Sequence, residues 1–398
     1  MGYSFTDDDL VVLTSPEGRD ALRRVSDRPL TRQTLLADTA WARGEFGARA
    51  GALIETVLAR RRASGKLDGA AEWLVTDDAV QQATATPVAA RRARRIGARP
   101  VHDVTCSIGS EIAQLVQVSP LVVGSDLDPV RAAMARHNVP GAAVLRADAL
   151  RPATRDVAVV ADPGRRAGGR RKHDPAALDP PLPALLDVYG GRDLVVKCAP
   201  GLDFSSLDFA GEIEVVSLDG GVREACLWSA GFAEPGVTRR ASVLRTVSGG
   251  GVDASGVHTE EITDAEPDDV PDGEPGEWIV DPDGAIVRAG LVRHWAARHG
   301  LWQLDPRIAY LTGDAVPAGV RGFRILDRVK FSDKELRRAL ARHDAGAVEI
   351  LVRGVDVDPD ALRVRMKTNG ATPRSVVVTR LGRNAVAFVC EHGVVAAP

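Results

Sequence analysis

The chain has 398 residues, which is too many for one ordinary hydrophobic core, so two or three domains are expected. The net charge is −3 and 44% of the residues are hydrophobic, so the composition predicts folded cores and does not by itself indicate a polyanion partner. The four cysteines lie far apart without a CxxC pair, which excludes a structural zinc site of the usual spacing and a disulfide framework.

The N-terminus and the hydrophobicity of the chain bear on its location. The first residues, MGYSFTDDDL, lack the basic and apolar regions of a signal peptide. No segment approaches the roughly 18 consecutive apolar residues that a membrane span requires. We therefore expect a cytoplasmic, reduced protein without membrane association.

Residues 1–98 are predicted to form an N-terminal helical domain. Ala, Arg, Leu and Glu dominate this segment, apolar residues recur at helical spacing, and Thr6 or Ser15 could cap helix starts. The basic clusters Arg60 to Arg62 and Arg91 to Arg95 fit the solvated side of amphipathic helices. A phosphate-facing surface is the alternative for both clusters.

Residues 99–247 alternate strands with helices, which predicts an α/β sheet. Five short runs of Val, Leu and Ala lack clear alternation, as expected for strands buried on both faces. Two further runs flank Asp219-Gly220-Gly221, a hairpin signal. In chain order the strands are VHDV, LVVGSD, AVLRAD, DVAVVAD, DLVVKC, EIEVVSL and REACLWS, with EIAQLVQV and PVRAAMARHN as crossover helices. A parallel sheet that ends in an antiparallel hairpin is the expected topology.

Residues 248–283 are predicted to form an acidic linker. From Asp253 to Asp283 there are twelve acidic residues and no Lys or Arg. A segment of low hydrophobicity and high charge buries too little surface to offset its ordering entropy, so we expect a loosely packed loop. Its last few residues could already belong to the next domain.

Residues 284–398 mix helices with strands and are predicted to form an α+β domain. The helices are AGLVRHWAARHG and SDKELRRALARHD, the second with Ser332 placed to cap it, and the strands are VEILVRG, VVVTRLG and AVAFVCEHG. From Arg321 to Arg383 there are fifteen Lys or Arg residues against eight Asp or Glu residues. This balance favours the C-terminal domain as the one that faces a polyanion.

Four acidic residues follow successive strands of the predicted sheet: Asp103, Asp126, Asp148 and Asp162. Because a parallel sheet binds its ligand beyond the carboxyl ends of its strands, these carboxylates are expected to converge on one site. Asp126 could accept both hydroxyls of a ribose, and Asp148 could receive an adenine amino group. The small-residue loop after Asp103 lacks the full GxGxxG pattern, which favours a mononucleoside over a dinucleotide.

The segment from Asp103 to Asp162 resembles the class I S-adenosylmethionine-dependent methyltransferases. DVTCSIGSE is similar to their first motif, SDLDP to the acidic second motif, RADAL to the adenine-side motif and ADPGRR to the fourth, catalytic motif. The whole chain further resembles bacterial members with a C-terminal THUMP-like domain, through WIVDPDGAIVRAGLV, YLTGD and VEILVRGVDVDP. The resemblance implies a Rossmann-like, seven-stranded methyltransferase sheet between an N-terminal helical domain and an α+β THUMP-like domain.

The resemblance also implies that S-adenosyl-L-methionine is the cofactor. Seven positions match the cofactor-binding motifs, from the methionine end through the ribose to the adenine: Asp103, Cys106, Ser107, Gly109, Asp126, Asp148 and Ala149. Ser107 and Ser110 stand where the family usually has glycine. Serine prefers a negative φ and adds a side chain near the cofactor, so cofactor affinity is the property that this departure affects.

The loop after the fourth strand is the predicted acceptor site. Asp162, Pro163 and Arg165 match the catalytic motif, in which Asp162 would accept a hydrogen bond or a proton from the nucleophile. The aromatic residue that stacks on a base in other versions of this motif is absent, and the DP-x-R form resembles RNA-modifying members. The basic loop from Arg165 to Lys172 could bind phosphates, with a flexible surface loop as the alternative.

Cys198 ends the fifth strand and has two interpretations. Some RNA methyltransferases attack a pyrimidine with a cysteine from this strand end, and Lys197 beside it is expected to lower the pKa of the thiol. The alternative is a small core residue. Strand alternation allows only one of Lys197 and Cys198 to face the cleft.

We therefore predict an S-adenosylmethionine-dependent methyltransferase that acts on RNA, either tRNA or rRNA, with the C-terminal domain and the N-terminal helices orienting the RNA. One alternative is a methyltransferase for a small molecule or a protein. The other is an RNA-binding protein whose cofactor site has decayed. The eight histidines show no paired ligand spacing, so no metal site is expected.

Overall fold

The structure, a computed structural model, describes residues 3–165, 174–204, 207, 209–246 and 256–396. It divides into two compact units. The first comprises residues 1–218, 223–235 and 244–258, and the second comprises residues 219–222, 236–243 and 259–398. No helix in the described part of the chain is long and apolar enough to cross a membrane.

Helices form the beginning of the chain. They are α1 (Asp7–Thr14), α2 (Pro16–Ser26), α3 (Leu35–Phe46), a 3-10 turn (Gly47–Arg49), α4 (Ala50–Ala63), α5 (Asp77–Gln82) and α6 (Thr86–Ile96). Thr6 and Ser15 both accept a hydrogen bond from the first turn of the helix that follows them. The helices are not a separate domain, however. Their hydrophobic core includes Ile108 and Met134 from the following segment, so they belong to the first unit.

The following segment carries the predicted sheet. Its elements are β1 (Val101–Asp103), α7 (Ile112–Leu115), β2 (Val122–Asp126), α8 (Pro129–Asn138), β3 (Ala143–Arg146), β4 (Ala158–Ala161), β5 (Gly164–Arg165), a 3-10 turn (Pro175–Ala177), β6 (Leu178–Asp179), α9 (Leu182–Val188), β7 (Leu194–Cys198), β8 (Gly211–Leu218), β9 (Gly221–Ser229), β10 (Arg239–Thr246) and β11 (Val257–Thr263). Nine strands are ordered β11-β10-β8-β9-β7-β4-β1-β2-β3, while β5 pairs with β6.

The Rossmann-like topology predicted from the sequence is confirmed. The strands β3, β2, β1, β4 and β7 are parallel, and β9 runs antiparallel to β7. Between β8 and β9, Asp219 and Gly220 have φ angles of 51° and 75°. Two successive left-handed residues are the conformation that a two-residue hairpin turn requires.

The prediction of a loosely packed loop at 248–283 is wrong for two parts of this segment. The strands β11 and β12 (Trp278–Asp281) lie inside it, and Ile262 is fully buried. The acidic residues tolerate this order because basic residues from elsewhere in the second unit neutralise them. Glu261 lies 2.7 Å from the guanidinium of Arg240, and Glu266 lies 2.5 Å from that of Arg298. A local count of charges cannot reveal such distant partners.

The second unit contains an eight-stranded sheet. Beyond β12, its elements are α10 (Gly284–Ala289), α11 (Val292–Arg298), β13 (Trp302–Gln303), β14 (Leu311–Gly313), β15 (Arg321–Lys330), α12 (Asp333–Arg342), β16 (Ala345–Arg353), α13 (Pro359–Met366), β17 (Thr372–Leu381), β18 (Asn384–Glu391) and β19 (Val394–Val395). The order is β13-β14-β12-β15-β18-β17-β16, with β19 beside β15. Ser332 caps α12 by accepting the N–H of Glu335 at 3.2 Å.

His102 sits in the middle of β1 and makes the stability of the first unit depend on pH. Its two ring nitrogens each lie 2.9 Å from a hydroxyl, Nδ1 from Thr154 and Nε2 from Ser125. Burial, together with the nearby Arg192, lowers the pKa of His102 from 6.5 to about 4. Between about pH 6.5 and pH 4, the unfolded chain therefore binds a proton on His102 that the folded protein does not bind.

We expect the free energy of unfolding to fall by about 2 to 3 kcal/mol as the pH drops from 6.5 towards 4, since each unit of pKa shift corresponds to roughly 1.4 kcal/mol. Urea denaturation at a series of pH values should show this loss in the parent protein and a weaker loss in His102→Gln. The exposed His258 offers a control, because His258→Gln should keep the parent's pH dependence. If the free energy of unfolding fell equally with pH in His102→Gln and in the parent, His102 would not be the source of the pH dependence.

Candidate functional site

Three of the four predicted strand-end acids converge. Asp103 ends β1, Asp126 ends β2 and Asp162 follows β4. Burial raises the pKa of the Asp103 carboxyl well above its ordinary value, and the charges of Glu111, Asp162 and Asp126 add to this shift. The mutual influence of these carboxylates shows that they share one small region. It is the region that the carboxyl ends of parallel strands provide for a ligand.

Asp126 organises the small-residue loop between β1 and α7. Its Oδ2 accepts the N–H of Ser107 at 2.9 Å, and its Oδ1 accepts the N–H of Asp128 at 2.9 Å. Ser107 has a φ of 48° and Gly109 a φ of 94°. A Cβ at position 109 would also lie 3.1 Å from a methyl group of Val139. The backbone conformation of the loop therefore favours glycine at positions 107 and 109, although position 107 is a serine.

Cys106 lies beneath this loop. Its side chain is buried and belongs to the hydrophobic core of the sheet. The Sγ atom is 3.2 Å from the position that a Cβ on Gly124 would occupy, so the thiol fills the space that this glycine leaves. Burial, followed by the charges of Asp103 and Asp126, raises the pKa of the thiol. Cys106 can therefore offer a ligand its backbone more readily than its sulfur.

Asp148 and Ala149 form the edge beyond β3. The carboxylate of Asp148 accepts the N–H of Leu150 at 2.9 Å, and its side chain is 43% exposed. The carbonyl oxygen of Ala149 accepts a hydrogen bond from the Tyr189 hydroxyl at 2.7 Å. The Tyr189 contact fixes the backbone of this edge, while the Asp148 carboxylate keeps an open side towards solvent.

On the other side of the site, Asp162 pairs with Lys197. The N–H of Asp162 donates to the Thr105 hydroxyl at 2.6 Å, and the Lys197 ammonium donates to the Asp162 carboxylate. Burial opposes the charge of Lys197, but Asp162 and Glu224 favour it and raise the pKa of this lysine overall. The side chain of Lys197 is 13% exposed and that of Asp162 is 42% exposed. A charged lysine thus lies beneath an accessible carboxylate.

The rest of the predicted acceptor motif is only partly described. Pro163 is buried, and Gly164 with Arg165 forms the short strand β5, which pairs with Leu178 and Asp179. The Arg165 side chain and residues 166–173, which hold most of the predicted basic loop ending at Lys172, lie outside the described residues. Its role as a phosphate-binding loop stays a prediction.

Cys198 packs into the core. Its side chain is 5% exposed and belongs to a hydrophobic cluster with Val159 and Ala161. Burial, with a further contribution from Asp162, raises the pKa of its thiol. Lys197 donates to Asp162 and does not generate a thiolate. These contacts favour the core interpretation over the nucleophile interpretation.

Arg92 connects the N-terminal helices to this site. Its side chain is 3% exposed, and its guanidinium donates to both Glu111, directly after the small-residue loop, and Glu224 on β9. The second oxygen of Glu111, Oε1, is buried and has no hydrogen-bond partner among the described residues. An unsatisfied acceptor beside Asp103 suits a ligand that brings a donor or a positive charge.

The Arg91 to Arg95 cluster is therefore neither the solvated side of a helix nor a phosphate-facing surface. Besides Arg92, Arg91 lies 2.7 Å from Glu214, and Arg95 lies 2.6 Å from Glu212. Only Arg94 of the arginines in this cluster is exposed. The expectation of a solvated or phosphate-facing helix is wrong here because both acids lie on β8, more than a hundred residues along the chain.

The left-handed backbone at Ser107 leads to a stability prediction. A non-glycine residue in this conformation costs roughly 1 to 2 kcal/mol. Glycine avoids this cost, but part of the gain is lost because glycine makes the unfolded chain more flexible. We expect Ser107→Gly to raise the free energy of unfolding by about 0.5 to 1 kcal/mol. Chemical denaturation measures this change, and Ser107→Ala, which keeps a Cβ, should give no such gain. A destabilised glycine variant would show that the hydroxyl contributes more than the strain costs.

The comparisons with known proteins agree on a family. Residues 320–392 match the model of the THUMP domain-like family. An uncharacterized S-adenosylmethionine-dependent methyltransferase of Mycobacterium tuberculosis strain CDC 1551 is 55% identical over 363 residues, which cover 88% of this chain and 98% of the relative. Its counterpart in strain H37Rv gives the same values.

One solved structure shares the fold over most of the chain. It is a Porphyromonas gingivalis W83 protein described as a methyltransferase, which superposes with a TM-score of 0.70 at 18% identity. The alignment covers 90% of this chain and 98% of that one. Among the described residues, no group of three or more His, Cys, Asp or Glu side chains could hold a metal ion.

Proposed function

Because the chain belongs to the S-adenosylmethionine-dependent methyltransferases, we propose that it methylates RNA, with tRNA or rRNA as the substrate. S-adenosylmethionine is the cofactor, and it supplies a methyl group from its sulfonium centre. The observation that carries the RNA proposal is the THUMP-like segment at 320–392, in the same chain as the methyltransferase sheet. Domains of this type recognise RNA mainly by its shape.

The converging acids support a specific placement of the cofactor. Its ribose hydroxyls would bind Asp126, and its cationic methionine end would lie near Asp103, where the unsatisfied Glu111 oxygen also points to a missing donor. Ser107 and Gly109 would approach it through their backbone, as would Cys106. Asp148 and Ala149 would flank the adenine. The acceptor would then lie beside Asp162, with Pro163 and Arg165 forming the rest of its pocket.

The second unit supplies cations that its own acids do not neutralise. Most arginines of the THUMP-like segment pair with an acid, such as Arg342 with Asp327 at 2.6 Å. Six exposed basic side chains of this segment make no ion pair within the described residues: Lys330, Lys334, Arg337, Lys367, Arg380 and Arg383. Such unpaired cations can replace the counterions of an RNA backbone, which makes binding depend on salt.

The RNA-binding part of the proposal predicts a salt dependence that one substitution changes. A plot of log Kd against log salt should be steep for the parent, and Arg383→Ala should reduce the slope by about 1, as expected for one lost phosphate contact. Arg239→Ala is the matched control, because Arg239 is exposed in the same unit but lies outside the THUMP-like segment. Equal slopes for all three proteins would show that Arg383 does not contact the RNA.

The activity itself is tested by mass spectrometry of nucleosides from RNA of strains with and without the gene. The proposal requires one methylated nucleoside to be missing from the deletion strain and restored by the purified protein. Cofactor binding without any RNA binding would favour a small-molecule or protein substrate. RNA binding without detectable cofactor binding, measured by calorimetry, would favour a decayed cofactor site.

A further inference from the structure

Three neighbouring strands bring charged side chains to the acceptor side of the cofactor site. The register of β4 and β7 places Ala161 opposite Val196, so Asp162 follows next to Lys197. The register of β7 and β9 pairs Lys197 with Cys226. Glu224, two residues before Cys226, therefore lies on the same face as Lys197, as its diagonal neighbour. Asp162, Lys197 and Glu224 thus form one line across the sheet.

A second lysine, from the N-terminal helices, lies within electrostatic range of this line. Lys66 follows α4, and its ammonium donates to the carbonyl oxygens of Val80 at 2.8 Å and Gln81 at 3.0 Å. Burial lowers the pKa of Lys66, the charges of Lys197 and Arg223 lower it further, and Asp162 acts in the opposite direction. Lys66 is therefore within the range over which the charges of Asp162 and Lys197 act on it. An ammonium group carries three donors, so two carbonyl contacts leave one for a ligand.

The charged groups of this cluster discriminate between classes of methyl acceptor. The carboxylates of Asp162 and Glu224 balance the two ammonium groups, so the cluster offers an acceptor a base beside cationic hydrogen-bond donors. An alcohol oxygen needs both, because it loses its proton and builds up negative charge that an ammonium group stabilises. An unprotonated ring nitrogen of a base attacks with a free lone pair and needs neither. The segment from Asp162 to Arg165 also contains no aromatic side chain that could stack on a base. Both features favour oxygen over a base nitrogen.

We propose that the methyl acceptor is the ribose 2′-hydroxyl of RNA and that Lys66, Lys197 and Glu224 complete the acceptor site around Asp162. This inference rests on the proposed function, because the 2′-hydroxyl is the alcohol that each nucleotide within an RNA chain presents. Lys197 orients Asp162 and stabilises the oxygen as its proton leaves. Glu224 lies beneath Lys197 and, with Arg92, fixes the position of its charge.

The reaction balances in atoms and charge. A lone pair of the 2′-oxygen forms a bond to the methyl carbon as the carbon–sulfur bond breaks, and the electron pair of that bond stays on sulfur as a neutral thioether. The hydroxyl proton passes to the Asp162 carboxylate and from there to water. The positive charge of the sulfonium therefore leaves as this proton, and the products are a 2′-O-methyl ether and S-adenosylhomocysteine.

The atom that is methylated can be read directly. RNA from a strain that lacks the gene is incubated with the full-length protein and S-adenosylmethionine that carries a trideuterated methyl group, and its nucleosides are analysed by fragmentation. The expected result is label on the ribose fragment, at a nucleotide whose 3′ phosphodiester bond resists alkaline hydrolysis. Label on the base would overturn the oxygen acceptor but leave RNA methylation intact. A protein that binds the cofactor yet labels no RNA would overturn the proposed function, and this inference with it.

The lysines are tested with the RNA labelled in that assay. We expect Lys197→Met to lower kcat by about 10²-fold, the usual loss when one group that stabilises a developing negative charge is removed, while the Kd for S-adenosylmethionine stays within twofold. The deficit should shrink as the pH rises, because a higher hydroxide concentration raises the fraction of the hydroxyl that is deprotonated without the help of the lysine. Lys197→Arg keeps the charge and should recover part of the rate. Lys66→Met gives a second variant if Lys197→Met does not fold. Unchanged kcat in both methionine variants would overturn the role of the lysines.

Discussion

Replacing Arg92 with methionine is expected to lower the free energy of unfolding by about 3 to 5 kcal/mol, because removal of one partner from a buried ion pair leaves the other charge without compensation. Arg92 holds two acids, Glu111 and Glu224, and all three side chains are at least nine-tenths buried. Methionine fills a similar volume without providing a donor. The loss should therefore come from the two carboxylates rather than from a cavity.

Chemical denaturation of Arg92→Met and Arg94→Met measures this effect. Arg94 lies on the same helix but is exposed, so its substitution should change the free energy of unfolding by less than about 0.5 kcal/mol. A loss below about 1 kcal/mol for Arg92→Met would mean that Glu111 and Glu224 are satisfied in another way. Glu111 directly follows the small-residue loop that we propose binds the cofactor, so the variant should also bind S-adenosylmethionine more weakly.

Replacing Asp126 with alanine is expected to raise the Kd for S-adenosylmethionine by about 10³-fold. Two hydrogen bonds that a carboxylate accepts from ribose hydroxyls are worth roughly 2 kcal/mol each, and every 1.4 kcal/mol changes Kd tenfold. The same carboxylate accepts hydrogen bonds from the N–H groups of Ser107 and Asp128, so the small-residue loop would also lose its support. Both effects act in the same direction.

Titration calorimetry measures the Kd for S-adenosylmethionine of the parent and of Asp126→Ala, with Asp156→Asn as the control. Asp156 precedes β4 and is exposed at the amino end of the sheet, opposite the strand ends that form the site. Asparagine tolerates its φ of 55°, so the fold should be unaffected. A Kd for Asp126→Ala within tenfold of the parent would refute the placement of the ribose. Asp126→Asn, which keeps one acceptor oxygen, should fall between the parent and the alanine variant.

Local patterns were sufficient where one segment contains the whole cause of its structure. The runs VHDV, LVVGSD and DVAVVAD form parallel strands because continuous apolar side chains suit a sheet that is covered on both faces. Ser332 caps its helix, and Asp219-Gly220 makes the hairpin turn, because the required donors and φ angles come from neighbouring residues. The convergence of Asp103, Asp126 and Asp162 followed from the parallel topology alone.

The sequence by itself therefore determined the strand-end acids, the Rossmann-like topology and the methyltransferase family. Only the tertiary structure decided that Lys197, and not Cys198, contacts Asp162, since this depends on the register between β4 and β7. It also decided that Arg92 is a buried partner of Glu111 and Glu224, and that the acidic segment at 248–283 contains strands. The physical reason is common to all three. The charge of a side chain is local, but the partner that neutralises it can come from anywhere in the chain.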